Sequence, residues 1–190
     1  MKRGLQLLTL APLIGCTDLL IKALGIGLAG LLLIPLCALL LAPLRARLSG
    51  NGLVLAAPLI GATLASCAEL ALQLFSAELA NALALFLPLL ALPCLAQALD
   101  DDTNIKRAAQ TGLLFALTAL AMGVLREVLG HGSLFAHADW LLGPAATGWH
   151  WTASLPLLTH SAGGFILLGL LFALLCHSTK TTPDERRQAL

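Results

Sequence analysis

The residue best suited to chemistry in this sequence is Cys94. It closes the core of an apolar run, Leu85–Leu99 (LFLPLLALPCLAQAL), directly after Pro93 and six residues after Pro88. A thiolate is a soft ligand suited to copper(I), zinc or iron–sulfur centres. Each proline removes a backbone donor and disturbs a helix. Broken backbone at membrane depth persists only where protein or a polar cavity covers it. The run therefore reads as an interrupted helix carrying a sulfur ligand. One cysteine cannot hold a cluster, so further ligands must come from elsewhere in the chain or from a second subunit. Cys16, in an earlier apolar segment that also contains a proline (Pro12), is the internal candidate.

Other polar residues point to chemistry less strongly. Cys16, Cys37, Cys67, Cys94 and Cys176 form no CxxC or other zinc-type spacing, and the bland reading of each is a small buried hydrophobe. His131, His137, His150 and His160 share a loop without ligand spacing. Asp100, Asp101 and Asp102 read as a solvated charge run. Glu69 is the one acid well inside an apolar segment, where a carboxylate is a functional candidate by default; it lies six residues, about 9 Å, from the segment end and so within reach of the interface. Arg126 and Glu127 are sequence neighbours and do not share a helical face. No nucleophile elbow, phosphate loop or dinucleotide fingerprint is present. Nothing reads as a hydrolase, a kinase or a nucleic-acid binder.

The elements that must position these residues are membrane helices. Of 190 residues, 58% are hydrophobic and 11% charged, against about 25% charged in a soluble domain. The mean hydropathy is +0.91. Six segments are expected: Leu5–Thr17, Ala23–Leu44, Leu53–Phe75, Ala82–Leu99, Ala108–Leu129 and Ser161–His177. The first is short for a span of about 20 residues. Met1–Cys16 resembles a lipoprotein signal, but more apolar segments follow it rather than a soluble domain, so it is read as a first helix. Asp18 and Lys22, four apart, can pair on one face. Ser76–Asn81 reads as a polar turn, Gly130–His160 as a long loop, and residues 179–190 as a polar tail.

With the N-terminus in the cytoplasm, Lys2, Arg3, Arg45, Arg47, Lys106, Arg107, Lys180, Arg186 and Arg187 all fall inside. That is nine of the eleven basic residues, a positive-inside pattern that places both termini in the cytoplasm. Trp140, Trp149 and Trp151 then fall in the outer loop. Ala11-Pro12-Leu13-Ile14 aligns with Leu87-Pro88-Leu89-Leu90 at an offset of 76 residues. Each opens a three-segment half, residues 1–80 and 81–178. Three is odd, so the halves run in opposite directions, as in inverted-repeat proteins whose broken helices carry the site. The expected fold is an all-α integral membrane protein of six helices in two inverted three-helix repeats with interrupted first helices. Cys16 and Cys94 then occupy matching segments of the two halves.

Several stretches carry a family resemblance. Gln6–Ala29 (QLLTLAPLIGCTDLLIKALGIGLA) resembles the first helix pair of the E subunit of the Rnf, or Rsx, electron-transport complex, a relative of the D subunit of the sodium-pumping NADH:quinone reductase. Gly123–Phe135 (GVLREVLGHGSLF) is similar to that family's Arg-Glu-Leu-Gly-x-Gly-x-Leu-Phe signature. Gly163-Gly164-Phe165-Ile166 resembles its Gly-Ala-Phe-Ile, and Phe86–Cys94 its apolar-Pro-Leu-Ile-x-x-Asn-Cys run. The resemblance covers nearly the whole chain. It implies a bacterial inner-membrane subunit partnered by the related A subunit of opposite topology. It further implies that two cysteines from each chain hold one mid-membrane iron centre, of the 2Fe–2S type, which passes electrons across the bilayer. The chain would then be part of a redox-driven translocase rather than an enzyme alone, coupled to ferredoxin–NAD electron flow and ion movement.

Two departures bear on the metal. The family's first cysteine precedes the proline, where this chain has Ala11; its second motif has Asn where this chain has Pro93, and the Gly-Arg-Ala-Glu-Ala-Phe-Ala that follows is replaced by Gln97–Thr103. Cys94 therefore carries over and Ala11 does not. Cys16, five residues on and about 7.5 Å along a helix axis, is the candidate replacement. The alternatives are a metal-free structural subunit, or a small inverted-repeat transporter using Glu69 and Asp18.

Overall fold

The computed structural model describes residues 11–45, 47, 48, 51–99, 104–136, 149, 150 and 156–180. Residues 5–10 of the expected first segment, the basic residues Lys2, Arg3, Arg186 and Arg187, the aspartate run, His137, Trp140 and Trp151 lie outside these.

The helices follow the apolar runs. α1 spans Ala11–Cys16, α2 Leu20–Arg45, α3 Asn51–Phe75, α4 Ala77–Leu83, α5 Ala91–Ala98, α6 Ile105–Arg126, α7 Pro156–Thr159 and α8 Ser161–Lys180. Among the described residues three helices are long and apolar enough to cross a membrane: α2, α3 from Gly52, and α6 with its extension to His131. A fourth span is made if α4 and the stretch Pro88–Ala98 count as one, bent by 59°. The break is where the prolines place it. Leu83 ends α4, Pro88 opens a single 3₁₀ turn, Pro88–Leu90, and α5 follows at once. Pro93 is the third residue of α5, a position whose N–H has no partner inside the helix, so it starts the helix and does not kink it.

One expected turn is a helix. The polarity of Ser76–Asn81 suggests a connection; instead Ser76 is extended and its hydroxyl accepts from Leu79 N–H at 3.2 Å, capping α4. Leu79, Ala80 and Leu83 are buried. A serine cap followed by Ala, Glu and Leu is a helix start, and burial of the apolar face outweighs the local polarity. The expected loop Gly130–His160 also carries structure: Ser133–Leu134 (β1) and Trp149–His150 (β2) pair antiparallel, and α7 precedes α8.

Small residues set the packing. α2 lies along α6, and Gly27 faces Ala116 and Ala119. Pro35 cannot offer an N–H to the Leu31 carbonyl, and Gly112 of α6 sits against that gap: a Cβ there would stand 3.3 Å from Leu31 O and 3.4 Å from the proline ring. Lipid supplies no hydrophobic drive between helices, so such close backbone approach is what holds them. Outward, α2 presents Leu28, Leu32 and Leu39, and α3 presents Leu55, Leu59 and Leu70. Thr63 and Ser66 on the open side of α3 donate to their own helix carbonyls, as hydroxyls facing hydrocarbon must.

Candidate functional site

Among the described residues, two polar features stand out in the apolar interior. The first is a charged clamp at the Leu20 end of α2. Arg126, 1% exposed, closes α6, and Glu127, 0% exposed, opens a π-helical turn, Glu127–His131. Arg126 donates from Nε to Leu158 O at 3.2 Å and from Nη2 to Thr159 O at 3.0 Å and His160 O at 3.2 Å. Its Nη1 reaches Thr17 Oγ1 at 3.4 Å. Glu127 accepts from Leu20 N–H at 2.6 Å and Ala136 N–H at 2.7 Å. The guanidinium thus satisfies carbonyls at the end of α7, where a cation is favoured, and the carboxylate satisfies the first turn of α2, where an anion is favoured. The wider π turn lets consecutive residues serve two helices. Gly132 then turns left-handed at φ 60°, followed by Phe135 at φ 59°. The expected Asp18–Lys22 pair is present at 2.9 Å beside this clamp.

The second feature is a thiol pair. Cys37 of α2 is 0% exposed and Cys94 of α5 is 1% exposed. Their thiols stand within hydrogen-bond reach of each other. They share one apolar cluster with Leu41, Ala57 and Ala98. Gly61 of α3 lets that helix close over the pair, since a Cβ there would lie 2.8 Å from Ala91 Cα and 3.1 Å from Cys94 Cβ. One turn past Cys94, Gln97 Nε2 donates to Ile34 O at 3.0 Å, and Arg45 Nη2 donates to the Gln97 carbonyl at 2.5 Å. A cavity of about 210 Å³ opens between Leu41, Arg45 and Gln97.

Cys16 is buried in the larger core cluster, with Leu13, Ile21, Leu87 and Leu90. The two cysteines singled out in the sequence therefore lie in different clusters, and the thiol brought to Cys94 is Cys37. A signal for it stands in the sequence: both Cys37 and Cys94 follow a proline closely in an apolar run, in Pro35-Leu36-Cys37 and Pro93-Cys94. Cys67 is exposed on α3. Glu69 is half-buried, and His131 and His160 are exposed. Among the described residues no group of three or more His, Cys, Asp or Glu converges as a metal site. Cys37 and Cys94 are two thiols that share one buried cluster.

Apolar spans, a broken helix, a buried charged clamp and an interior thiol pair define a polytopic helical membrane protein. The chain belongs to the Rnf-Nqr subunit family of membrane proteins, which it matches over residues 4–172. It is 38% identical over 183 residues to the E subunit of the ion-translocating oxidoreductase complex of Pseudomonas paraeruginosa, covering 89% of this chain and 76% of that one. The protein of the same name from Pseudomonas aeruginosa is 37% identical with the same coverage. That from Shewanella loihica is 32% identical over 182 residues, covering 89% and 78%.

Proposed function

We propose that this protein is the E-type membrane subunit of an Rnf-type electron-transport complex in a bacterial inner membrane, where it supplies part of a mid-membrane iron centre. The observation that carries the metal reading is the position of Cys94: a buried thiol on a helix that starts after a proline break, facing a second thiol. Soft sulfur in an apolar, water-poor setting suits an iron–sulfur group and disfavours harder cations. Such a group, of the 2Fe–2S type and completed by the related A subunit, would supply one-electron transfer in ferredoxin–NAD-linked, ion-coupled flow. The residues of this chain do the rest. Cys94 offers a thiolate, a second cysteine of the chain (Cys16 or Cys37) joins it, and the packing of α2, α3 and α5 excludes water from the sulfurs.

The six-span, inverted-repeat arrangement belongs to the same reading. It is supported by the meeting of the two proline-bearing elements: α1 contacts the Pro88–Leu90 turn, with Leu13, Cys16, Leu87 and Leu90 in one cluster. The outward leucines of α3 suit a subunit packed among others and in lipid. A metal-free scaffold is favoured by one observation, alanine at position 11, where the resembled family carries cysteine.

The test is purification of the complex through a tag on this chain, with iron counted per complex. The proposal expects other subunits to co-purify and iron to fall in Cys94→Ser. Co-purification without iron in the wild type leaves only the scaffold.

A further inference from the structure

We propose that the cavity between the ends of α2 and α5 and the start of α6 binds the phosphate headgroup of an anionic phospholipid. Its position comes from the helix packing. Gly123 of α6 sits against Leu20 of α2, and Gly112 against Leu31, so the two helices run antiparallel. Arg45, which closes α2, and Ile105, which opens α6, therefore meet at one membrane end. The cavity of about 210 Å³ lies there, lined by Leu41, Ala42, Arg45, Gln97, Asn104 and Ile105. Its lining changes character over one turn of α2. Leu41 and Ala42 form an apolar wall on the hydrocarbon side, and Arg45, Gln97 and Asn104 a polar wall at the surface. That is the profile of an amphiphile. A soluble anion gains nothing from the apolar half, and a hydrocarbon chain cannot solvate a guanidinium.

The charge is cationic and held in place. Arg45 is half-buried, and its Nη2 donates to the Gln97 carbonyl. A carbonyl is neutral, so this bond orients the guanidinium without cancelling its charge. Arg47, Lys106 and Arg107 are exposed at the same end. These four basic residues stand against three aspartates, Asp100, Asp101 and Asp102, in the adjoining sequence. The start of α6 adds the partial positive charge of its first-turn N–H groups. A basic pocket between membrane helices at the surface favours a lipid phosphate, with each basic residue worth about 1 kcal/mol. The volume suits a phosphate and the glycerol beside it, not the acyl chains. Those have a path outward, because Leu36, Leu39 and Leu40 are exposed on α2 just below Ala42. An iron-free complex would leave this site intact.

The experiment is native mass spectrometry of the purified complex, delipidated in detergent and titrated with equal amounts of dioleoylphosphatidylglycerol and dioleoylphosphatidylcholine. The readout is the lipid this subunit carries after collisional release. The expected result is one phosphatidylglycerol held with a preference of about tenfold or more, the worth of one to two basic residues. The preference should fall about fivefold in Arg45→Gln. It should be lost in Ala42→Leu, which fills the cavity and leaves every charge in place. Arg47→Gln, outside the lining, should bind as wild type does. If Arg45→Gln does not assemble, Ala42→Leu decides the matter, since Ala42 is exposed and tolerates the larger side chain. No preference in the wild type overturns the inference. So does an equal fall in Arg45→Gln and Arg47→Gln with Ala42→Leu unchanged, which marks a diffuse attraction to anionic lipid. Displacement of the lipid by millimolar inorganic phosphate also overturns it, because the site would then be one for a soluble anion.

Discussion

Arg126 and Glu127 are consecutive residues that close the ends of two different helices, the guanidinium on the carbonyls of Leu158, Thr159 and His160 and the carboxylate on the N–H of Leu20. The Arg-Glu block falls within Gly123–Phe135, one of the stretches that carry the family resemblance. It ties α6 to both α2 and the start of α8 at one membrane end. Arg126→Leu leaves several buried carbonyls unpaired and should cost about 3 kcal/mol or more. Arg126→Lys should recover little of this, because an ammonium cannot reproduce the planar fork. The check is thermal melting of the detergent-purified complex; a melt within error of wild type for Arg126→Leu would contradict the clamp.

Glu127→Gln keeps the shape and an acceptor oxygen but removes the negative charge at the start of α2. A loss of about 1–2 kcal/mol is expected. The local signature is faster hydrogen exchange at Leu20 and Ala136, the two amides that donate to the carboxylate. Unchanged exchange at both amides would show that the carboxylate does not hold them.

Gly61→Ala places a methyl group against Ala91 Cα and Cys94 Cβ, at 2.8 and 3.1 Å before relaxation. The neighbours are backbone and a short side chain, so α3 must move away from α5. A cost of about 1–3 kcal/mol is expected, with less iron retained at Cys94. Gly169→Ala, where nothing lies within 4 Å, is the control and should melt as wild type does.

The proposed inverted arrangement predicts that both ends of the chain lie on one side of the membrane and the region between β1 and β2 on the other. Reporter fusions after Lys180 and within residues 137–148 should therefore give opposite sidedness. Equal sidedness would remove the two-repeat reading.

Local features are legible in the sequence, and long-range ones are not. The spans α2, α3 and α6 follow from apolar length, the break near Pro88 from the missing donor, and the Asp18–Lys22 pair from i,i+4 spacing. Each depends on residues close in the chain. Arg126 reaches Thr17 across 109 positions and Glu127 reaches Leu20 across 107; periodicity carries no information at that range. Their failure to share a helical face, which in sequence suggests independence, is what allows them to serve two helices. Ser76 misleads because its polarity hides its capping geometry. Cys37 looks in sequence like a small buried hydrophobe because its partner lies on another helix.

In the proposed function Cys94 binds iron in mid-membrane. The most direct measurement is the EPR and visible spectrum of the purified complex, oxidised and then reduced with dithionite, in wild type and in Cys94→Ser. The expected result is an iron–sulfur signal present in the wild type and lost or altered in the fully assembled variant. The same signal in both, from complexes of equal subunit composition, would contradict an iron centre at Cys94.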